Sequence, residues 1–152
     1  MRDQSGALKA VASEARAGTR GAVLLAGAAG AAAAQAADTV AAELRTTVFH
    51  IDLAAVVSQY IGETEKNIDA AFAEAEGAGA VLLIDEADAL FGKRTGVKDA
   101  HDRYANVDMS FLLSRIESYD GVALLATNLG TNIDPAFTRR LRRVIDYTPR
   151  KA

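Results

Sequence analysis

Asp85 and Glu86 are adjacent acids that end an uncharged apolar run, Ala80–Ile84. A run of this length reads as a strand buried in a parallel sheet. Acids at its carboxyl end fall where α/β sheets open their ligand crevice. There Asp85 is placed to hold a divalent cation through its water shell, and Glu86 to orient or deprotonate an attacking water. The alternative is a strand that ends in a solvated acidic turn.

Acids so placed need a sheet and helices to hold them, and the rest of the chain supplies candidates. Ala22–Ala26, Thr47–Ile51, Val122–Ala126 and Val144–Tyr147 are further strand candidates. Between the strands at Ala22 and Thr47, Gly27 opens a turn into a helix that reaches about Leu44. Glu63–Glu76 sets Ile68, Ala71, Phe72 and Ala75 on one helical face. Asp102–Tyr119 is a second amphipathic helix, and Leu53–Gln59 a short one. Gly92–Ala100 is charged and glycine-containing, hence a loop. Met1–Gly18 reads as a loosely packed, alanine-rich helix ending at Gly18. Strand and helix alternate, so the expected fold is α/β, a three-layer sandwich around a five-stranded parallel sheet. No inner boundary is visible: residues 1–20 read as a lead-in and residues 21–152 as one domain.

Composition narrows the function classes. The chain is 50% hydrophobic and 24% charged, which is globular. A net charge of −3 without a basic stripe implies no nucleic-acid partner. With no Cys there is neither a disulfide framework nor a Cys-based metal site, which is compatible with a reducing cytosol; the expected location is cytoplasmic. No apolar run approaches the roughly 18 residues of a membrane span. The first ten residues lack the apolar core of a signal peptide.

Three longer stretches, YIGETEKNIDAAF, VLLIDEADALFGKR and LLATNLGTNIDPAFTRRLRRVIDY, together resemble the core of an AAA+ ATPase. The nearest flavour is the bacterial branch similar to the spastin and katanin group. The resemblance spans roughly Gly21 to Thr148. It implies a P-loop sheet in the order 5-1-4-3-2, with ATP and Mg²⁺ as cofactors. It makes Asp85 and Glu86 the Walker B pair and Asn128 the sensor that positions the lytic water. It makes Arg139, with Arg142, the arginine fingers that reach a neighbouring subunit. Tyr60-Ile61-Gly62 matches the pore loop that grips a threaded polypeptide. The implied partners are further copies of the chain in a hexameric ring, and a protein substrate.

The residues carry part of this unaided. Asn128 closely follows the Val122–Ala126 strand, where a neutral amide can orient water without adding charge; the alternative is a turn residue. Four arginines in Arg139–Arg143 exceed what one helix end needs. A planar guanidinium suits charge spreading over phosphoryl oxygens, and the alternative is a solvated basic surface. Tyr60 is either an exposed gripping aromatic or a core residue at a helix end.

One element departs from the family pattern. A working phosphate loop reads G-x-x-x-x-G-K-[ST]. Here Gly27 and Gly30 remain, but Ala32, Ala33 and Ala34 stand where the second glycine, the lysine and the hydroxyl residue belong. A charge-assisted contact is worth about 1.5–3 kcal/mol, so losing the lysine alone should weaken ATP by one to two orders of magnitude. The alternative is an alanine-rich helix that was never a loop. The family also continues into a small helical lid, which has no counterpart before Ala152. The expected function is an AAA+ nucleotide-binding module of a protein-remodelling ring, with ATP binding and hydrolysis impaired. The alternative is a non-catalytic assembly subunit that keeps the fold.

Overall fold

The computed structural model describes residues 5–19, 21–28, 30–52, 64–85, 87, 109–127, 139 and 141–147. In chain order the elements are α1 (Ser5–Arg16), β1 (Ala22–Ala26), α2 (Ala31–Leu44), β2 (Val48–Asp52), α3 (Thr64–Gly77), β3 (Val81–Asp85), α4 (Met109–Glu117), β4 (Ala123–Thr127) and β5 (Arg143–Asp146). The five strands form one sheet in the order β2-β3-β4-β1-β5, and every pairing is parallel. This is the expected order read from the other edge. The predicted helix over 53–59, the loop over 92–100 and the first part of the helix predicted over 102–119 lie outside the described residues.

Burial on both faces explains the uncharged strands. All five residues of β1 and of β4 are buried, as are the first four of β3. Alternate side chains feed two cores. Leu24, Leu82, Ile84 and Leu125 pack with Ile68 and Phe72 of α3 and Ile116 of α4. Val23, Leu25, Leu83 and Leu124 pack on the other side with α1 and α2.

The alanines of α2 are part of this design. Ala33, Ala36, Ala37, Val40 and Ala41 are its buried residues, at helical spacing. Small side chains there bring α2 close to the sheet and leave room for α1. Leu8, Val11 and Ala12 of α1 are fully or nearly fully buried in the same cluster. The N-terminal helix is therefore tightly packed, where its composition suggested a loose one. Helix α2 ends with Arg45 in the left-handed region at φ 56°. Its N–H and that of Thr46 donate to the carbonyls of Ala42 and Ala41, a Schellman turn that brings the chain round into β2.

Three strands run one residue further than their apolar runs suggested. β2, β3 and β4 end on Asp52, Asp85 and Thr127. The hydrogen-bond ladder ignores side-chain polarity and carries these three residues onto the carboxyl edge. Beyond it, the Ala87 N–H still donates to the Ala126 carbonyl at 3.0 Å. At the outer edge β5 begins and ends one residue earlier than expected.

Tyr119 closes the core beneath α3 and α4. Its hydroxyl donates to the Ala80 carbonyl at 2.7 Å, and the side chain is 1% exposed. Burial, with Glu76 nearby, pushes its pKa up to about 12 from the ordinary 10. The neutral phenol is therefore favoured by folding. Its contribution is intact below pH 10 and is lost as pH rises through 12, to a total of about 2–3 kcal/mol. Urea midpoints measured at pH 9 and near pH 12 should show that loss in the parent and a smaller one in Tyr119→Phe. An equal loss in both would place the alkaline sensitivity elsewhere.

Candidate functional site

The site grows from the carboxyl ends of β1, β3 and β4. Ala26 of β1 pairs with Thr127 of β4, and Ile84 of β3 with Leu125 of β4. The three strands are adjacent, so whatever follows them converges on one edge. Immediately after β1, Gly27 takes φ 85° and donates its N–H to the Thr127 carbonyl at 3.0 Å. Gly30 caps α2 at φ 55° and ψ −122°, a backbone that a side chain strains. These two glycines make the sharp strand-to-helix turn.

The start of α2 is electrostatically open. Gly30 makes no side-chain cap, and the first turn of α2 contains no acid. The leading N–H groups of a helix have no partner within it, and they sit at the positive end of its dipole. Such an end suits an anion. Along this first turn the side chains, Ala31 to Ala34, are methyl groups. Ala32 and Ala34 are exposed, while Ala33 turns under the helix against the sheet.

Asp85 stands on the α2 side of the sheet, in phase with Val81 and Leu83, and its side chain is 20% exposed. In register beside it is Asp52 of β2. His50, two residues earlier on β2, places Nε2 3.7 Å from Asp85 Oδ2. The sequence reading missed His50. The signal lay in the register: His50 pairs with Leu83, which puts it one strand over and two residues short of Asp85. Among the described residues, no three His, Asp or Glu side chains converge on a common point. Glu86, Asn128, Tyr60, Ile61 and Gly62 lie outside the described residues.

The two arginines singled out differ in their surroundings. Arg139 is exposed. Arg142 is only 12% exposed and turns back toward its own α1, with Nη2 3.5 Å from Glu14 Oε1. Burial lowers its pKa, and Glu14 opposes that shift.

Residues 23–149 match the model of the ATPase family associated with various cellular activities (AAA). The katanin p60 A-like 1 protein of Danio rerio, an ATPase-containing katanin component, is 34% identical over 139 residues, covering 84% of this chain and 28% of that protein. Spastin of Sus scrofa is 35% identical over 145 residues, covering 88% of this chain and 22% of that protein. The chain thus spans less than a third of the length of these relatives. The crystal structure of the FIGL-1 AAA domain superposes with a TM-score of 0.68 at 22% identity, over 95% of this chain and 51% of that one, a likeness of fold. By the family match along most of its length, and by its kinship with spastin and katanin, this chain belongs to the AAA ATPase family.

Proposed function

We propose that this chain is the nucleotide-binding module of a protein-remodelling AAA ring, with a phosphate loop that holds ATP weakly. One observation carries the reading: Ala32, Ala33 and Ala34 occupy the first turn of α2, directly after the β1 turn and on the Asp85 side of the sheet. The backbone at this turn fits an anion. The side chains do not fit a tightly held Mg-ATP: Ala33 offers no cation to the phosphates and Ala34 no hydroxyl to the magnesium. Asp85 remains as the group to hold the metal through its waters.

Glu86 and Asn128 follow β3 and β4 in sequence, and we assign them to activating and orienting water. Arg139, exposed ahead of β5, is assigned to a neighbouring subunit's site. Tyr60-Ile61-Gly62 is assigned to the pore loop, the partners being further copies of the chain and a protein substrate. Residues 21–152 form the large subdomain in this reading, with residues 1–20 as a lead-in.

Calorimetric titration with Mg-ATP tests the reading. The expected dissociation constant is in the hundreds of micromolar or weaker, from the loss of roughly 1.5–3 kcal/mol at the lysine position. Sub-micromolar binding would overturn the weak-loop assignment. The same alanines favour a second reading, a non-catalytic assembly subunit. Light scattering separates the two: a stable multimer without nucleotide supports the second, and a monomer the first.

A further inference from the structure

The arginines before β5 do not act alike, and the cause lies on α1. Glu14, near the end of that helix, offers one carboxylate to two guanidiniums. Its Oε2 accepts from Arg143 Nη2 at 2.7 Å, and its Oε1 lies 3.5 Å from Arg142 Nη2. Arg142 Nη1 donates to the Thr19 carbonyl at 3.3 Å. The Thr19 N–H in turn donates to the Glu14 carbonyl at 2.9 Å. The turn that ends α1 therefore places one carbonyl acceptor, that of Thr19, and one counter-charge, that of Glu14, against Arg142.

The chain makes room for this arrangement. A Cβ on Gly21 would sit 3.0 Å from Arg142 Cβ, and Gly21 adopts φ 123°. Only glycine lets the arginine stem pass there without strain. The Arg142 N–H donates to the Ala22 carbonyl at 2.8 Å, which fixes the backbone at the same point. Even so, Arg142 Nε and Nη2 are buried without a hydrogen-bond partner among the described residues. Among the described residues the guanidinium is thus retained by few contacts, with Glu14 as the compensating charge. Helix α1 has anchors that do not involve Glu14. Leu8, Val11 and Ala12 are buried, and Arg16 Nη2 donates to the Glu43 carbonyl of α2 at 2.6 Å.

We propose that Glu14 is a positioning residue: it retains Arg142 and Arg143 within their own chain and leaves Arg139 as the described arginine of this segment offered to a neighbouring copy. The role of Arg139 rests on the ring reading above; the retention by Glu14 does not.

Arginine modification by phenylglyoxal, read peptide by peptide by mass spectrometry on the full chain, tests it. In the parent, Arg139 should react about tenfold faster than Arg142. Glu14→Gln should speed Arg142 and Arg143 by about tenfold, the equivalent of one lost charge-assisted contact, and leave Arg139 within about twofold. Arg16→Gln loosens the helix elsewhere and should leave Arg142 protected. Three results would each overturn the proposal: equal rates for Arg139 and Arg142 in the parent, continued protection in Glu14→Gln, or the same release in Arg16→Gln. If circular dichroism shows Glu14→Gln unfolded, Glu14→Asp takes its place; its shorter arm should release Arg142 partially, and full protection would count against the proposal. The ring reading fails separately. Protection that behaves as described, with Arg139→Ala leaving nucleotide-dependent assembly of a loop-restored chain unchanged, would reject the trans role and keep the retention.

Discussion

Replacing Ala32, Ala33 and Ala34 together by glycine, lysine and threonine is expected to tighten Mg-ATP binding by about ten- to a hundredfold. The lysine carries most of this, since a charge-assisted contact is worth about 1.5–3 kcal/mol and 1.4 kcal/mol is one decade. The structure says how each change is accommodated. Ala33 is fully buried against the sheet, so a lysine stem must run along that apolar floor to bring its ammonium to the carboxyl edge. Ala34 is exposed in the first turn, where a threonine meets no core packing. Ala32 is exposed as well, and a glycine there costs up to about 1 kcal/mol of helix propensity. A modest fall in thermal stability should therefore accompany the gain in affinity. Calorimetry with and without magnesium gives both arms, because in the proposed reading the threonine and Asp85 would act through the metal and the lysine would not. If the triple variant binds no better than the parent, Gly27–Ala34 is not a phosphate loop, and the metal role of Asp85 loses its main support.

How far the sequence led depends on what each residue reports. Ala80–Ile84 and Ala22–Ala26 declared themselves because parallel strands buried on both faces must be apolar throughout. The face formed by Ile68, Phe72 and Ala75 was legible from its helical period, and those three side chains are buried. The ends of the strands were less legible. Asp85 and Thr127 are polar, yet the ladder includes them, because backbone pairing is indifferent to the side chain attached. Packing of α1 was hidden for another reason. Alanine is its commonest residue and Leu8 and Val11 its only large apolar ones, and only the small-residue face of α2 shows why so little apolar surface suffices. His50 could not be found by motif at all, since its proximity to Asp85 arises from strand register. Arg142 and Arg139 look equivalent in the string TRRLRR. What distinguishes them is burial of Arg142 against Glu14, more than a hundred residues away in sequence, while Arg139 is exposed.

Phe72→Ala should destabilise the fold by about 3–5 kcal/mol, the upper range for truncating a core side chain. Against a typical domain stability of about 5–15 kcal/mol, that leaves the variant partly unfolded or close to it. Phe72 is 1% exposed on α3 and packs into the core shared by β3, β4 and α4. Its ring meets Tyr119 edge to face, with centroids 6.1 Å apart at 84°. Arg115 also lies against the ring, its Cζ 5.3 Å from the ring centre. That arginine is itself fixed: Nε donates to Asp69 at 2.8 Å, and Nη1 and Nη2 donate to the two oxygens of Glu76 at 3.2 and 2.8 Å. The Asp120 N–H donates to the same Glu76 carboxylate at 2.8 Å. A fork held this firmly cannot sink to fill the space that an alanine would leave, so the cavity persists and its cost is not relieved. Phe72→Leu keeps most of the volume and should lose about 1–2 kcal/mol, since the remaining difference is the aromatic contact with Tyr119 and Arg115. Urea unfolding measures both. Combining Phe72→Leu with Arg115→Met should show a coupling of about 0.5–1 kcal/mol if the guanidinium interacts with the ring and does not merely lie near it. A loss below about 1 kcal/mol in Phe72→Ala is outside the range for a filled aromatic core site. It would mean that α3 and α4 do not close over β3 and β4 as described, and the support they give to the Asp85 end of β3 would have to come from the α1–α2 side alone.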